Sequence, residues 1–415
     1  MRSLPFTKND LEAMAAKWPT PFHIYDAAAI SRNAEALKAA FKWNKGFREY
    51  FAVKATPNPH ILKLLSKHGF GCDCSSLAEL VLSEKSGITG QNIMFTSNDT
   101  PGEEFLKAYE LGAVINLDDI THWPFLLETI KEVPELMCCR YNPGPTRDGN
   151  DIIGRPEEAK YGLTYEQIFQ CYEMMRDAGV KRFGIHTMIA SNELDRRYIV
   201  ETADMLFKLA VELNEKLGIK IEFVNIGGGI GIPYKPEQEA INLDILGQEI
   251  HDAYKKIIEP SPLSEVALYM ECGRSITGPY GYLVSRVLHF KDTYRHYAGL
   301  DACMSNLMRP ALYGAYHEIV VPGKENSPDQ LVYDVTGSLC ENNDKFAIGR
   351  KLPRLERGDF VVICDTGAHG HAMGFQYNGK LRSAELLLEE DGNVRQIRRA
   401  ETLDDYFATL SFDEL

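Results

Sequence analysis

A lysine, a glycine triplet and a glutamate stand where apolar segments of this chain end, and their residue types suit a common chemistry. Lys54 ends the apolar run 50–53 and precedes a proline-rich segment that must leave the strand. Desolvation at the end of a buried strand lowers the pKa of a lysine and makes its amine a nucleophile, as in lysines that form imines. For Lys54 alone, a side chain that reaches solvent is the simpler interpretation.

The other two features complete a recognisable set. Gly227, Gly228 and Gly229 follow an apolar run. They would let backbone N–H groups approach a phosphate, although a turn that needs positive φ is an alternative. Glu271, at the end of another apolar run, needs a protonated ring nitrogen or an arginine as partner. A lysine, a phosphate cradle and a carboxylate are the parts that a pyridoxal phosphate site requires.

The segments that position these residues repeat one unit: a short apolar strand, a polar turn and an amphipathic helix. The predicted strands are 50–53, 69–74, 93–96, 113–116, 136–141, 182–189, 221–226 and 266–271. Eight such units favour an eight-stranded α/β barrel of the TIM type, whose active site lies at the carboxyl ends of the strands. The loop 142–160, rich in Pro, Gly, Arg and Asp, is expected to cover strand ends.

After about residue 280 the pattern changes to strands separated by turns, with few helices. The predicted strands are 281–291, 318–321, 330–336, 360–365, 381–390 and 394–400. The sequence Asp391-Gly392-Asn393 predicts a hairpin turn. We therefore predict an α/β barrel at 27–279 that binds the cofactor, and a mostly β domain, of sandwich or barrel type, formed by 1–26 and 280–415.

Composition narrows the class of protein. A net charge of −14 without a basic block argues against nucleic acid and anionic membranes as partners. The chain has no secretory h-region and no run long enough to span a bilayer, which favours a cytoplasmic protein. Nine scattered cysteines suit reduced thiols. Neither Cys72 with Cys74 nor His369 with His371 has companions at metal-ligand spacing, so no metal is expected.

Several short segments carry a more specific signal. They are 50–55, 140–144, 160–162, 227–229, 271–274, 309–313, 340–341 and 377–378. With them the chain resembles the fold-type III pyridoxal-phosphate decarboxylases, and within these the diaminopimelate decarboxylases, over nearly its whole length. The resemblance implies decarboxylation of meso-2,6-diaminopimelate to L-lysine and CO2, the last step of lysine biosynthesis.

The resemblance also implies roles for individual residues. Those at the cofactor would be Lys54 as its imine, Asp73, Met188, Ser191, Gly227, Gly228, Gly229, Glu271, Gly273, Arg274 and Tyr377. Those at the substrate would be Arg274, Arg309, Tyr313, Glu341 and Tyr377. The arginines would bind the distal carboxylate, because a planar guanidinium can donate two parallel hydrogen bonds to it. Glu341 would bind the distal ammonium group.

Cys340 has a separate implied role. In related enzymes this cysteine reaches the active site of the neighbouring subunit and returns a proton after CO2 has left. The resemblance therefore implies a homodimer with shared active sites and makes Lys54 and Cys340 the catalytic pair. Without the neighbouring motif, a buried structural thiol would be the simpler interpretation.

Two departures from the family pattern bear on substrate choice and rate. Met188 stands where the family usually has a histidine that packs on the cofactor, and His369 replaces a common tyrosine. A decarboxylase of a related diamino or basic amino acid, such as ornithine or arginine, is therefore an alternative. A racemase would need a second base, and a binding-only regulatory relative would not need Lys54, Glu271 and Cys340.

Overall fold

The computed structural model describes residues 3–150 and 152–412. Its strands are β1 (Phe22–Asp26), β2 (Arg48–Ala52), β3 (Gly71–Cys74), β4 (Ile93–Phe95), β5 (Val114–Leu117), β6 (Leu136–Arg140), β7 (Arg182–His186), β8 (Ile221–Asn225), β9 (Ala267–Met270), β10 (Gly281–Asp292), β11 (His296–Leu300), β12 (Ile319–Val320), β13 (Gln330–Thr336), β14 (Lys345–Pro353), β15 (Phe360–Ile363), β16 (Ala384–Leu388) and β17 (Val394–Arg398).

The helices alternate with the first nine strands and become sparse afterwards. They are α1 (Lys8–Lys17), α2 (Ala27–Ala40), α3 (Pro59–Ser66), α4 (Leu77–Lys85), α5 (Gly102–Glu110), α6 (His122–Ile130), α7 (Tyr165–Ala178), α8 (Arg196–Leu217), α9 (Leu243–Ile257), α10 (Arg274–Thr277), α11 (Arg309–Tyr313) and α12 (Leu403–Phe407).

Strands β2 to β9 close into a parallel barrel in sequence order. All eight predicted strands are present, most of them shorter than predicted, and the predicted barrel is confirmed. Its interior is filled by side chains from several strands, including Tyr50, Met94, Val114, Cys138 and Phe223. Side chains of this size fill an eight-stranded barrel, so function is left to the loops at its rim.

Residues at the N-terminal ends of the helices determine where each helix begins after a strand. Ser76 caps α4, because its Oγ accepts the N–H of Glu79 at 3.4 Å. Pro101 precedes α5, whose first turn carries two glutamates, as expected at the positive end of the helix dipole. In this way each strand ends at the rim of the barrel and the chain returns along its outside.

The remaining strands form a mostly β unit. Seven of them pair in the order β14-β13-β11-β10-β1-β16-β17, and β12 and β15 pair beside this path. The six predicted strands are present, and so is the hairpin at Asp391–Asn393, where Glu389 N–H donates to Asn393 O at 2.8 Å. Strands β1, β11 and β14 were not predicted.

By their internal contacts, the described residues divide into two compact units. The barrel unit comprises Ser31–Ile232 and Glu239–Ile276. The β unit comprises Pro233–Gln238 together with the described residues of Met1–Ile30 and Thr277–Leu415. The assignment of Pro233–Gln238 to the β unit was not predicted. Within the described ranges, no helix combines the length and the hydropathy needed to cross a bilayer.

Candidate active site

Lys54 lies at the carboxyl rim of the barrel. It follows β2 in a single 3₁₀ turn, Val53–Ala55, and 51% of its side chain is exposed. Its Nζ lies 3.7 Å from Oδ2 of Asp73 on the neighbouring strand β3. The negative charge of Asp73 raises the pKa of Lys54 and outweighs the opposing effect of burial. The expectation of a lowered pKa for Lys54 is therefore wrong.

Asp73 is buried, with 3% of its side chain exposed. Burial, and next the charge of Glu271, raise the pKa of Asp73 well above its usual range, while Lys54 opposes this. Among the described residues, no group hydrogen-bonds to its Oδ1. A buried carboxyl group with one unused oxygen is costly without a partner, so the site is suited to a bound polar group.

Glu271 directly follows β9, and both of its oxygens are engaged. Oε2 lies 3.0 Å from Nε2 of His186, and Oε1 accepts from Nδ2 of Asn225 at 2.7 Å. Burial raises the pKa of Glu271, but His186 and then Lys54 more than offset it, so its pKa lies below the usual value. The carboxylate therefore stays ionised, which is the state that can hold a protonated ring nitrogen.

His186 is itself fixed by a line of polar side chains across the rim. Nδ2 of Asn116 lies 2.9 Å from Nδ1 of His186 and 2.9 Å from Oγ1 of Thr96. The imidazole of His186 is thus held between Asn116 and Glu271, which fixes the orientation of the ring. Sequence reasoning assigned no role to His186, Asn116 or Asn225. The available signal was a polar residue at or near the end of each buried strand, which is costly unless it is partnered.

The backbone conformation and close packing require glycines in the triplet after β8, which agrees with the turn considered from sequence. Gly227 and Gly229 have φ of +70° and +96°, and a Cβ on Gly228 would overlap the carbonyl oxygen of Glu271. Met188, which follows β7, contacts the same loop, since Gly228 N–H donates to its Sδ at 3.2 Å. The side chain of Met188, which stands where the family usually has a histidine, thus helps to hold the glycine loop.

The loop 142–160 contacts the segment after β7, in agreement with its predicted position at the strand ends. Oδ1 of Asn150 accepts the N–H of Ser191 at 3.1 Å, and its Nδ2 donates to Glu193 at 2.9 Å. After β9, Gly273 is buried, and a Cβ there would lie 2.8 Å from Cβ of Ala55 beside Lys54. Arg274 begins α10 and is partly exposed. Ser191, Gly273 and Arg274 therefore all lie after strands of the barrel.

Two predicted substrate residues lie on α11 of the β unit. Arg309 is buried, with its Nη1 3.1 Å from Nε2 of His317. Its guanidinium carbon lies 4.6 Å from the ring centre of Tyr234. Tyr313, the last residue of the helix, is 57% exposed. The guanidinium of Arg309 is thus fixed in orientation by its neighbours, whereas Tyr313 projects from the surface of the unit.

The other predicted residues of the β unit meet at two adjoining turns. Cys340 is the single exposed thiol among nine free cysteines, and Glu341 is partly buried beside it. Tyr377 is exposed and begins a short turn, Tyr377–Gly379. The N–H of Cys340 donates to Oδ1 of Asn378 at 2.8 Å, which joins the two turns.

Comparison with known proteins agrees with the chemistry of this site. The sequence profile of the pyridoxal-dependent decarboxylases, in its pyridoxal binding domain, matches residues 27–278. The chain belongs to this family of decarboxylases. The cofactor is accordingly pyridoxal 5′-phosphate, and an amine, an ionised carboxylate and a glycine loop at one rim of the barrel fit this group.

Individual relatives of this pyridoxal-dependent decarboxylase differ in name. Protein TabA of Pseudomonas amygdali pv. tabaci is 44% identical over 95% of this chain and 92% of its own. The diaminopimelate decarboxylase of Methanothermobacter thermautotrophicus is 33% identical over 95% of this chain and 92% of its own. The solved structure of the diaminopimelate decarboxylase from M. jannaschii has a TM-score of 0.90 at 31% identity and covers 97% of this chain and 94% of its own.

Proposed function

We propose that this decarboxylase converts meso-2,6-diaminopimelate to L-lysine and CO2 in the cytoplasm. The observation that carries the proposal is the similarity, in sequence and in fold over almost the whole chain, to proteins named diaminopimelate decarboxylase. The alternative is a related diamino or basic amino acid as substrate, since the 44% identical relative, protein TabA, is not named a diaminopimelate decarboxylase. Substrate identity is therefore the point that experiment must decide.

On the barrel, we propose a separate role in cofactor binding for each residue. Lys54 binds the cofactor covalently, the loop Gly227–Gly229 with Ser191 holds its phosphate, and Glu271 holds its ring nitrogen. The bound cofactor supplies an electron sink for the charge left when CO2 departs. The ionised state of Glu271 supports its task, because only a carboxylate favours a protonated ring nitrogen. Asp73, 3.7 Å from Nζ of Lys54, helps to hold the lysine side chain in place at the rim.

On the β unit, the proposed substrate residues include Arg309, Tyr313 and Glu341, and the barrel adds Arg274. The arginines bind the distal carboxylate, and Glu341 binds the distal ammonium group. The contacts of Arg309 with His317 and Tyr234 support this task, since a guanidinium that is already oriented loses less entropy when a carboxylate binds. A substrate that carries a carboxylate and an ammonium group at its distal end would bind both the arginines and Glu341.

The specificity experiment compares kcat/KM for CO2 release from meso-diaminopimelate, ornithine, arginine and lysine, with pyridoxal phosphate present. We expect meso-diaminopimelate to be preferred by about 100-fold or more, because among the four substrates only it brings a second carboxylate for the arginines to bind. A higher kcat/KM for ornithine or arginine would establish the alternative substrate class. Absence of CO2 from all four, with the cofactor bound, would favour a regulatory relative.

We further propose a homodimer in which Cys340 of one subunit serves the site built on Lys54 of the other. Lys54→Ala and Cys340→Ala should each be inactive alone. A mixture that exchanges subunits freely should regain about a quarter of wild-type activity, because half of the dimers are mixed and each mixed dimer has one intact site. Decarboxylation after mixing and incubation measures this.

The matched control mixes Lys54→Ala with Glu271→Gln. Both positions lie on the barrel unit of one chain, so every mixed dimer has a defect in each of its sites, and activity should not rise above that of Glu271→Gln alone. Recovery in this control, or none in the Lys54→Ala and Cys340→Ala mixture once subunit exchange is demonstrated, would rule out the shared site.

A further inference from the structure

We propose that Asn378 is a positioning residue that fixes the backbone of Cys340, and that the proton-return step depends on it. The catalytic part of this inference rests on the proposed function of Cys340. Two segments of the β unit carry the argument: the cysteine turn, Gly337–Asp344, and the tyrosine turn, Tyr377–Gly379. They are joined by the hydrogen bond from Cys340 N–H to Oδ1 of Asn378, which is 2.8 Å long.

The cysteine turn is held from the inside by Asp344. Its carboxylate accepts the N–H of Leu339 at 2.8 Å and that of Met304 at 2.7 Å, and its backbone oxygen accepts the N–H of Gly337 at 3.0 Å. Asp344 is buried, and a Cβ on Gly337 would overlap its carboxylate. These contacts fix both ends of the turn. They do not involve the N–H of Cys340, which lies at the exposed part of the turn.

Asn378 fixes that exposed part. Its backbone has φ +53° and ψ 24°, in the left-handed region that glycine adopts freely and asparagine tolerates. Glycine would satisfy the backbone here at less cost, but it has no side chain to accept a hydrogen bond. The acceptor that Asn378 gives to Cys340 therefore explains why a side chain is present at this conformation. It also links Tyr377 to Cys340 through one short contact.

This hydrogen bond should matter for the thiol. The Sγ of Cys340 is attached through Cβ to the Cα next to the fixed N–H, so the backbone sets the direction of the Cα–Cβ bond and limits the positions that the thiol can reach. A proton donor must lie within hydrogen-bond reach of the atom that it protonates. A turn that rotates freely at Cys340 would reach this geometry less often. The rate of the chemical step, rather than substrate binding, should therefore fall.

The test compares Asn378→Gly, Asn378→Asp and the control Asn343→Gly. Glycine and aspartate both tolerate the left-handed backbone, but only aspartate keeps an acceptor. Asn343 lies in the cysteine turn and is exposed. Its replacement therefore adds a glycine near Cys340 but leaves the hydrogen bond between Cys340 and Asn378 in place. Amide hydrogen exchange of the peptide that contains Cys340 reports the hydrogen bond without substrate or cofactor. We expect about tenfold faster exchange in Asn378→Gly and a change of less than about threefold in the other two.

Steady-state kinetics of the holoenzyme give the second readout. We expect Asn378→Gly to lower kcat about tenfold or more with little change in KM, and Asn378→Asp to restore kcat to within about threefold of wild type. Unchanged exchange in a folded Asn378→Gly would overturn the inference, and so would an Asn378→Asp variant as impaired as Asn378→Gly. If the wild type releases no CO2 but the exchange pattern holds, the proposed function fails while the structural role of Asn378 stands.

Discussion

Lys54→Ala is expected to abolish the visible absorbance of covalently bound pyridoxal phosphate and to lower decarboxylation by about 1,000-fold or more. Under the proposed function, the amine of Lys54, just after β2, would bind the cofactor covalently, so its removal would eliminate that link and the catalysis that depends on it. The measurement combines the absorbance spectrum after addition of the cofactor with CO2 release at saturating substrate.

Two further variants distinguish the loss of the amine from the loss of a positive charge and from a failure to fold. Lys54→Arg keeps a positive charge near Asp73, so it should fold like the wild type and yet show neither the absorbance nor the activity. Lys63→Ala removes an exposed lysine of α3 and should change neither readout. A normal spectrum in Lys54→Arg would show that another lysine holds the cofactor.

Glu271→Gln should lower kcat by about 100-fold, since a neutral amide cannot favour the protonated form of the ring nitrogen. The replacement has the same shape, and its single amide oxygen can keep one of the two contacts, to His186 or to Asn225, while the other contact changes together with the charge. The cofactor should still bind through Lys54, and its absorbance band should persist. Single-turnover decarboxylation would measure the effect on the chemical step.

The matched control is Glu222→Gln on β8, whose carboxylate pairs with Arg182 at 2.8 Å on the barrel. It removes a charge from the same barrel away from the rim residues, and its kcat should equal that of the wild type. A Glu271→Gln variant with kcat within about threefold of wild type would contradict the role given to this carboxylate.

The barrel was predictable because its strands are short apolar runs that alternate with helices. The β unit was harder, for reasons visible in its missed strands. In β14, the sequence KFAIGRKLP has charged residues typical of an edge strand, and Gly349 at φ +62° interrupts the alternation of side chains. Strand β1 carries the buried His23, and β11 contains the small residues Ala298 and Gly299. None of these segments shows a clear period of two.

In the candidate site, the residues whose position depends only on the order of the barrel strands could be predicted from the sequence. Lys54, the glycine triplet and Glu271 each end a barrel strand, and parallel strands bring their carboxyl ends to one rim. The partners of Glu271 were missed, because sequence does not show that His186 and Asn225 point at the same carboxylate. The pKa of Lys54 was predicted in the wrong direction, because burial was considered without the charge of Asp73 on the neighbouring strand.

The most direct test of the proposed function incubates the purified chain with pyridoxal phosphate and meso-2,6-diaminopimelate, and quantifies CO2 and lysine together. We expect L-lysine and CO2 in equal amounts, and neither product with Lys54→Arg. A wild-type protein that shows the absorbance of the bound cofactor but releases no CO2 from this substrate would contradict the assignment as a diaminopimelate decarboxylase.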